Sequence, residues 1–196
     1  MRFPLVVLAA TVLAATALLQ TGCGFGPGML GPGMPSYGIV PDFRLTRENG
    51  TPVTQADLAG KVWLANFIFT TCAGPCPRMT AQFRKVQQDA GPERDLRFVS
   101  FTIDPGRDTP EVLAAYARRF KADPERWMFL TGPASELNKL SSGPFHAGAI
   151  DGSLSHSTRF GLVDRKGRIR GYYDSSDAEM MRQMLLDIKT LVSSSV

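Results

Sequence analysis

Residues 62–77 read VWLANFIFTTCAGPCP, and this stretch determines the predicted fold. Its first eight residues are apolar apart from Asn66, a pattern typical of a strand buried on both faces of a sheet. Helical periodicity begins at Pro77, since proline is favoured at the first position of a helix. Cys72 and Cys76 therefore lie at a strand-to-helix junction. We expect Cys76 at the helix cap, where free N–H groups and the helix dipole favour a thiolate.

The periodicity of the remaining chain predicts a mixed α/β sheet. Short strands joined at Asn49-Gly50 form an N-terminal hairpin, and the central strand and helix are followed by a second strand over 96–103. The later predicted elements are a helix opened by Thr109-Pro110, a strand over 127–130, a short helix near 135–140, an antiparallel hairpin over 158–173 and a terminal helix over 177–192. Parallel strands followed by an antiparallel hairpin, with flanking helices, predict a thioredoxin-like sandwich.

The N-terminal part of the chain has the features of an exported, tethered protein. Residues 1–22 combine a positive start with a short apolar run, which predicts a signal peptide. The following Cys23 resembles the acylated first residue of a bacterial lipoprotein, with simple cleavage or an uncleaved anchor as alternatives. Residues 23–41 are rich in Gly and Pro and read as a flexible tether, so the folded domain is predicted over 42–196. We expect the domain at the periplasmic or extracytoplasmic face of the cell membrane.

Composition limits the possible partners and the use of the cysteines. The 196 residues are 43% hydrophobic and carry a net charge of +4 without a basic run, which argues against nucleic acid. If Cys23 is acylated, the three cysteines leave one pair, Cys72 and Cys76. A structural disulfide is one reading, but a bridge across three residues constrains the unfolded chain little. Chemistry at these thiols is therefore the favoured interpretation.

His156 completes a candidate metal site. In the predicted topology, the loop that enters the late hairpin meets the first strand-to-helix turn at one end of the sheet, which brings His156 near the cysteines. Two thiolates and one imidazole suit trigonal Cu(I), whereas zinc would require a fourth ligand. The alternative histidine, His146, lies in another loop, and His156 is the preferred candidate because its neighbours are polar.

With these motifs, the chain resembles the Sco/SenC family of copper-binding, thioredoxin-like assembly factors for cytochrome c oxidase. The resemblance spans residues 42–192 and depends on three motifs: FTTC-x₃-CP at 69–77, DPGRDTPEVL at 104–113 and SHST at 155–158. It implies that copper, as Cu(I) or Cu(II), is bound by Cys72, Cys76 and His156. It also implies a supporting loop that contains Asp104 and Asp108.

The sequence is compatible with three functions. The first is a metallochaperone that delivers copper to the copper-site subunit of cytochrome c oxidase or a related copper protein, with other copper chaperones or thiol-disulfide reductases as further partners. The second is a tethered thiol-disulfide oxidoreductase, in which Cys72 and Cys76 form a redox-active pair that keeps the partner's copper ligands reduced. A peroxidase follows from the fold alone and ranks last. Assignment as an enzyme is therefore uncertain, and a metal-binding assembly factor is favoured.

Overall fold

The structure is a computed structural model that describes residues 33–194. The predicted signal peptide, Cys23 and the first part of the predicted tether lie outside the described residues. Within residues 33–194, no helix is both long and apolar enough to cross a membrane.

The described part of the chain contains seven strands and four helices, which follow one another in the predicted order. The elements are β1 (Arg44–Arg47), β2 (Pro52–Thr54), β3 (Val62–Ile68), α1 (Pro75–Asp89), β4 (Leu96–Thr102), α2 (Pro110–Arg119), β5 (Trp127–Thr131), α3 (Ala134–Ser141), β6 (Arg159–Val163), β7 (Ile169–Asp174) and α4 (Ala178–Ser193). A short 3-10 helix, Gln55–Leu58, follows β2. All seven residues of β3 are buried, as expected for a strand covered on both faces.

The strands form one mixed sheet in the order β2-β1-β5-β4-β3-β6-β7. Strands β3, β4 and β5 are parallel, whereas β6 and β7 add an antiparallel hairpin beside β3. The N-terminal hairpin extends the other edge through antiparallel pairing of β1 with β5. The predicted thioredoxin-like α/β fold, with its mixed sheet and N-terminal hairpin, is confirmed.

Two apolar clusters cover the two faces of the sheet. One contains the aromatic group Phe43, Trp63, Phe67, Phe101 and Phe145 and packs with α3. The other contains Phe83, Phe98, Trp127, Phe129 and Phe160 and packs with the remaining three helices. Complete burial of each such side chain contributes roughly 1.5–3 kcal/mol, so the two clusters hold the sheet rigidly between its layers. The ends of β3 and β4 therefore provide firm supports for the loops that follow them.

The structure differs from the predicted tether over residues 34–41. The Tyr37 N–H donates to the Ile169 carbonyl at 2.9 Å, and the Val40 N–H donates to the Gly167 carbonyl at 2.9 Å. Met34 and Val40 are both buried. This segment pairs with the start of β7, so it belongs to the folded domain and the domain begins before residue 42.

Candidate metal centre

Both cysteines lie at the junction between β3 and α1. Gly74 is the N-cap of α1 and Pro75 is its first residue, so the helix begins two residues earlier than predicted. Either proline can occupy a first-turn position, because the N–H that proline lacks has no partner there. Cys76 therefore lies inside the first turn and is fully buried, whereas Cys72 precedes the helix and is partly exposed.

Burial controls the protonation of Cys76. Burial raises the pKa of the Cys76 thiol from 9.0 to about 12, and the neighbouring Cys72 thiol contributes to this rise. The expected thiolate at the helix N-terminus is therefore wrong for the free protein, since desolvation outweighs the effect of the helix dipole. Both cysteines are free thiols. Cys76 must release its proton before it can act as a metal ligand or nucleophile.

His156 lies directly against Cys76. Its Nε2 atom is 3.1 Å from the Cys76 Sγ atom, and its Nδ1 atom is 2.9 Å from the Ser157 carbonyl oxygen. Because a carbonyl can only accept, Nδ1 carries the proton and the Nε2 lone pair faces the thiol. Burial also lowers the pKa of His156 below 6.5, which favours the neutral imidazole. A neutral imidazole with its second nitrogen fixed by a hydrogen bond is the form that binds metal ions.

The three predicted ligands are not arranged as a closed metal site. No three His, Cys, Asp or Glu side chains within residues 33–194 are placed so that they could hold a metal ion as they stand. Cys76 and His156 form one contacting pair. Cys72 lies in the preceding turn, where its N–H donates to the Phe69 carbonyl at 3.3 Å. The alternative histidine, His146, is exposed and lies near the ring of Tyr172. The Cys72 thiol lies close enough to Cys76 to contribute to the raised pKa of that thiol, so it is a neighbour of the Cys76–His156 pair.

Asp108 ties the cysteine turn to the end of β4. This fully buried carboxylate accepts from the Thr70 N–H at 3.2 Å, from the Thr70 hydroxyl at 2.5 Å and from the Thr102 hydroxyl at 2.5 Å. Thr70 stands two residues before Cys72. Asp108 thus holds the start of the turn that carries the more exposed thiol.

Asp104 has a different environment in the same loop. Its N–H donates to the Thr102 hydroxyl at 2.9 Å, which links it to Asp108 through a shared threonine. Its Oδ2 atom is buried without a hydrogen bond and lies 3.7 Å from an Arg107 guanidinium nitrogen. Asp104 therefore braces the loop through its backbone and an ion pair, whereas Asp108 contacts the cysteine turn directly.

A second loop supports the segment that carries His156. The Ser157 N–H donates to the Ala147 carbonyl at 2.7 Å. Gly148, with φ +119°, lies so close that a Cβ atom there would be 2.7 Å from the Ser155 carbonyl oxygen and 3.4 Å from the His156 Cα atom. Only glycine fits this approach without displacing the histidine segment.

The roles of several of these supporting residues could not be predicted from the sequence. Thr70 belongs to the FTTC motif, so its place beside Cys72 was visible in the sequence, but its bond to Asp108 was not. Thr102 and Gly148 carried no local signal, because their partners are distant in the chain or belong to another loop. Tyr116 was recognisable only as part of the apolar face of its helix, and no sequence signal marked Thr80 or the hydrogen bond between their hydroxyl groups.

The chain is similar to known proteins over most of its length. The SCO1/SenC family model matches residues 34–193. The SCO1 protein homolog of Bacillus subtilis is 31% identical over 161 residues, which cover 79% of this chain and 83% of the relative.

Two solved structures share the fold. BsSco, described as a member of the Sco family of cytochrome c oxidase assembly proteins with a disulfide switch, is 30% identical with a TM-score of 0.73, covering 83% of this chain and 97% of that one. The copper-bound structure of ScoI from Bradyrhizobium japonicum is 27% identical with a TM-score of 0.60, covering 79% of this chain and 99% of that one. Because the family model matches most of its residues and a relative with this fold is 31% identical, the chain belongs to the SCO1/SenC family.

Proposed function

We propose that this protein is a copper metallochaperone that binds copper through Cys72, Cys76 and His156 and assists assembly of the copper site of cytochrome c oxidase. The contact of 3.1 Å between the Cys76 Sγ atom and the His156 Nε2 atom carries this proposal. It joins a soft sulfur donor to an imidazole nitrogen whose lone pair is available. Thiolate and imidazole together favour copper over hard cations such as Mg²⁺.

The donor set fits copper as a cargo. Cys72 is partly exposed beside the buried pair, so its side chain can close on an ion already held by Cys76 and His156. Binding through both sulfurs releases the two thiol protons to solvent. Three protein ligands leave one side of the ion open to a donor of the partner. Copper can then pass to the copper-site subunit by stepwise exchange of ligands, without a free ion in solution.

The proposal extends to the place and the partners of the protein. A signal peptide over 1–22 and acylation of Cys23 would hold the domain at the outer face of the cell membrane. BsSco is a member of the Sco family of cytochrome c oxidase assembly proteins, and the structure of ScoI from Bradyrhizobium japonicum was solved with copper bound. Both support a copper-protein client for this chain.

A competitive copper titration tests the proposal. The fully reduced protein is titrated with Cu(I) under anaerobic conditions against a chelator, beside the variants His156→Ala and Cys72→Ser. His146→Ala is the matched control, because His146 is the other histidine of the chain and lies exposed near Tyr172. We expect one tightly bound equivalent that both site variants weaken and the control does not. Absence of binding, or equal binding by the His156 variant, would overturn the proposal.

A thiol-disulfide oxidoreductase is the second candidate. Its support is the unequal exposure of the two free thiols, since Cys72 can be reached by a partner disulfide while buried Cys76 can resolve the mixed disulfide. In this reaction Cys72 attacks, the partner is reduced to two thiols, and Cys72 and Cys76 end as a disulfide. Full reductase activity after replacement of either cysteine by serine would reject this function.

A further inference from the structure

A buried chain of hydrogen bonds connects α2 to the carbonyl group of Cys76. The Thr80 hydroxyl donates to the Cys76 carbonyl oxygen at 2.9 Å, and the Tyr116 hydroxyl lies 3.0 Å from the Thr80 hydroxyl. The Thr80 proton is already committed to the carbonyl, so Tyr116 is the donor in the second bond. Thr80 is 0% exposed and Tyr116 is 6% exposed, so water does not compete for these bonds.

The ring of Tyr116 is explained by packing, but its hydroxyl is not. The ring lies against Phe120 and Phe129, with centroids 4.7 Å and 6.1 Å away, where a phenylalanine ring would pack equally well. A hydroxyl group buried without a partner costs free energy, and in the described part of the chain Thr80 is the only hydrogen-bond partner of this one. The hydroxyl is therefore satisfied by Thr80, whose own hydroxyl bonds to the Cys76 carbonyl.

The helix that carries Tyr116 also follows the residue that holds the other side of the cysteine turn. Asp108 bonds to Thr70, and α2 begins two residues later at Pro110. Between these two points, the Cys72 N–H donates to the Phe69 carbonyl at 3.3 Å and the Cys72 thiol lies beside Cys76. Asp108 therefore holds the start of the turn, and Cys76 at its end is linked through Thr80 to Tyr116 of α2.

We propose that Tyr116 and Thr80 are positioning residues that keep the Cys76 sulfur at His156, and so favour copper binding over oxidation of Cys72 and Cys76 to a disulfide by a second disulfide, which is itself reduced to two thiols. Without the Tyr116 bond, Thr80 can rotate away from the Cys76 carbonyl and the first turn of α1 can shift. Cys76 then leaves the His156 nitrogen and meets Cys72 more readily. The copper part of this inference rests on the proposed function, whereas the disulfide part does not.

Tyr116→Phe tests the inference because it removes the hydroxyl and keeps the ring. Tyr173→Phe is the matched control, since Tyr173 is another buried tyrosine in the same apolar cluster, with its hydroxyl on Asp187 rather than near the site. Two quantities are measured on the whole protein: Cu(I) affinity by chelator competition, and the Cys72–Cys76 disulfide equilibrium in a glutathione redox titration. Thermal unfolding verifies that each variant is folded.

We expect Tyr116→Phe to weaken Cu(I) binding about 10-fold, as for loss of other groups that orient a metal ligand, and to shift the equilibrium toward the disulfide by a similar factor. Tyr173→Phe should change neither quantity by more than about twofold, within the scatter of sites that do not interact. If Tyr116→Phe leaves both quantities unchanged, or if the control shifts them equally, the inference is overturned. If the wild-type protein binds no Cu(I), the proposed function fails, and the disulfide equilibrium alone still decides the inference.

Thr80→Val provides a second variant of similar shape. It removes the link itself, so we expect the double variant with Tyr116→Phe to resemble Thr80→Val alone in copper affinity and disulfide equilibrium. The double variant should also unfold at a higher temperature than Thr80→Val, because it no longer buries an unpaired Tyr116 hydroxyl. Additive effects of the two substitutions would show that they act independently and would contradict the inference.

Discussion

The two halves of the site are held by different means. The cysteine segment, residues 69–76, connects β3 directly to α1, and a buried carboxylate, Asp108, holds its start. The histidine loop, residues 142–158, contains no helix or strand and is held by backbone contacts with its own first half. The position of the thiols thus follows from the elements on either side, whereas the position of the imidazole depends on how closely the loop packs on itself.

This difference determines which kinds of change damage each half. The cysteine segment depends on polar groups, so removal of a single hydrogen-bonding atom should loosen it. The histidine loop depends on close steric approach, so addition of a single methyl group should displace it. Cu(I) affinity and stability should therefore respond differently to substitutions in the two halves.

The largest effect is expected from Cys76→Ser. Serine keeps the size of the buried side chain but removes the soft sulfur donor that contacts His156. Cu(I) affinity, measured by chelator competition, should fall by more than the roughly 100-fold that loss of a supporting residue causes. Circular dichroism should show an intact fold. Retention of tight binding by this variant would remove Cys76 from the ligand set.

The second largest loss of Cu(I) affinity is expected from Gly148→Ala, which lies in the histidine half of the site. The new methyl group would meet the Ser155 carbonyl at 2.7 Å, so the His156 segment must move. We expect Cu(I) affinity to fall roughly 10- to 100-fold, as when a supporting contact of a metal ligand is lost. Competition with a Cu(I) chelator measures this loss of affinity.

Gly152→Ala is the control for this substitution. Gly152 lies in the same loop with φ +86°, but nothing lies within 4 Å of its added Cβ atom. Both variants carry the backbone strain of alanine at positive φ, and only Gly148→Ala carries the clash. Equal loss of copper affinity in the two variants would contradict the role of close packing.

Asp108→Asn should loosen the cysteine half. The amide group of asparagine presents N–H donors where the carboxylate accepts from Thr70 and Thr102, so at least one buried donor loses its partner. We expect the free energy of unfolding to fall by roughly 1–3 kcal/mol, with a loss of Cu(I) affinity near 10-fold. Urea unfolding and chelator competition measure the two effects. A loss of stability without any change in copper affinity would assign Asp108 to the fold alone.

The histidine half should weaken in mild acid. Burial lowers the pKa of His156 below its ordinary value of 6.5, so the unfolded chain binds the proton first as the pH falls. The contribution of His156 to stability is therefore complete above pH 6.5 and decreases as the pH falls toward the lowered pKa. Thermal unfolding of the wild type between pH 8 and 5 should show this decrease. In His156→Gln the decrease should be smaller, and an identical slope would contradict the assignment.

The cysteine half should weaken in alkali. The folded protein keeps the Cys76 thiol protonated up to a pKa of about 12, whereas the unfolded chain ionises it near 9.0. Stability should therefore fall as the pH rises above 9, and this part of the decrease should be absent from Cys76→Ser. Urea unfolding of both proteins at pH 8, 9 and 10 measures the difference. It is the smallest effect predicted here, because only the first part of the transition lies in a usable pH range.

Much of the fold could be predicted because its signals are local. The buried strand over 62–69 and the turn at Asn49-Gly50 were recognisable from a few neighbouring residues, and β3 and the first hairpin lie there. The pairing of residues 37–40 with β7 was missed, because its partners stand about 130 positions later and the segment contains no strand pattern. The start of α1 was placed two residues late, because two prolines, Pro75 and Pro77, could each open the helix.

The sequence by itself determined the α/β order of elements, the junction that carries Cys72 and Cys76, and a set of donors suited to copper, because these depend on periodicity and side-chain type. Only the tertiary structure decided that Cys76 is buried and protonated and that Nε2 of His156 faces it at 3.1 Å. It also revealed the links from Asp108 to Thr70 and from Tyr116 to Thr80. Desolvation and hydrogen bonding join groups that are distant in the chain, so their outcome depends on packing in three dimensions rather than on neighbouring residues.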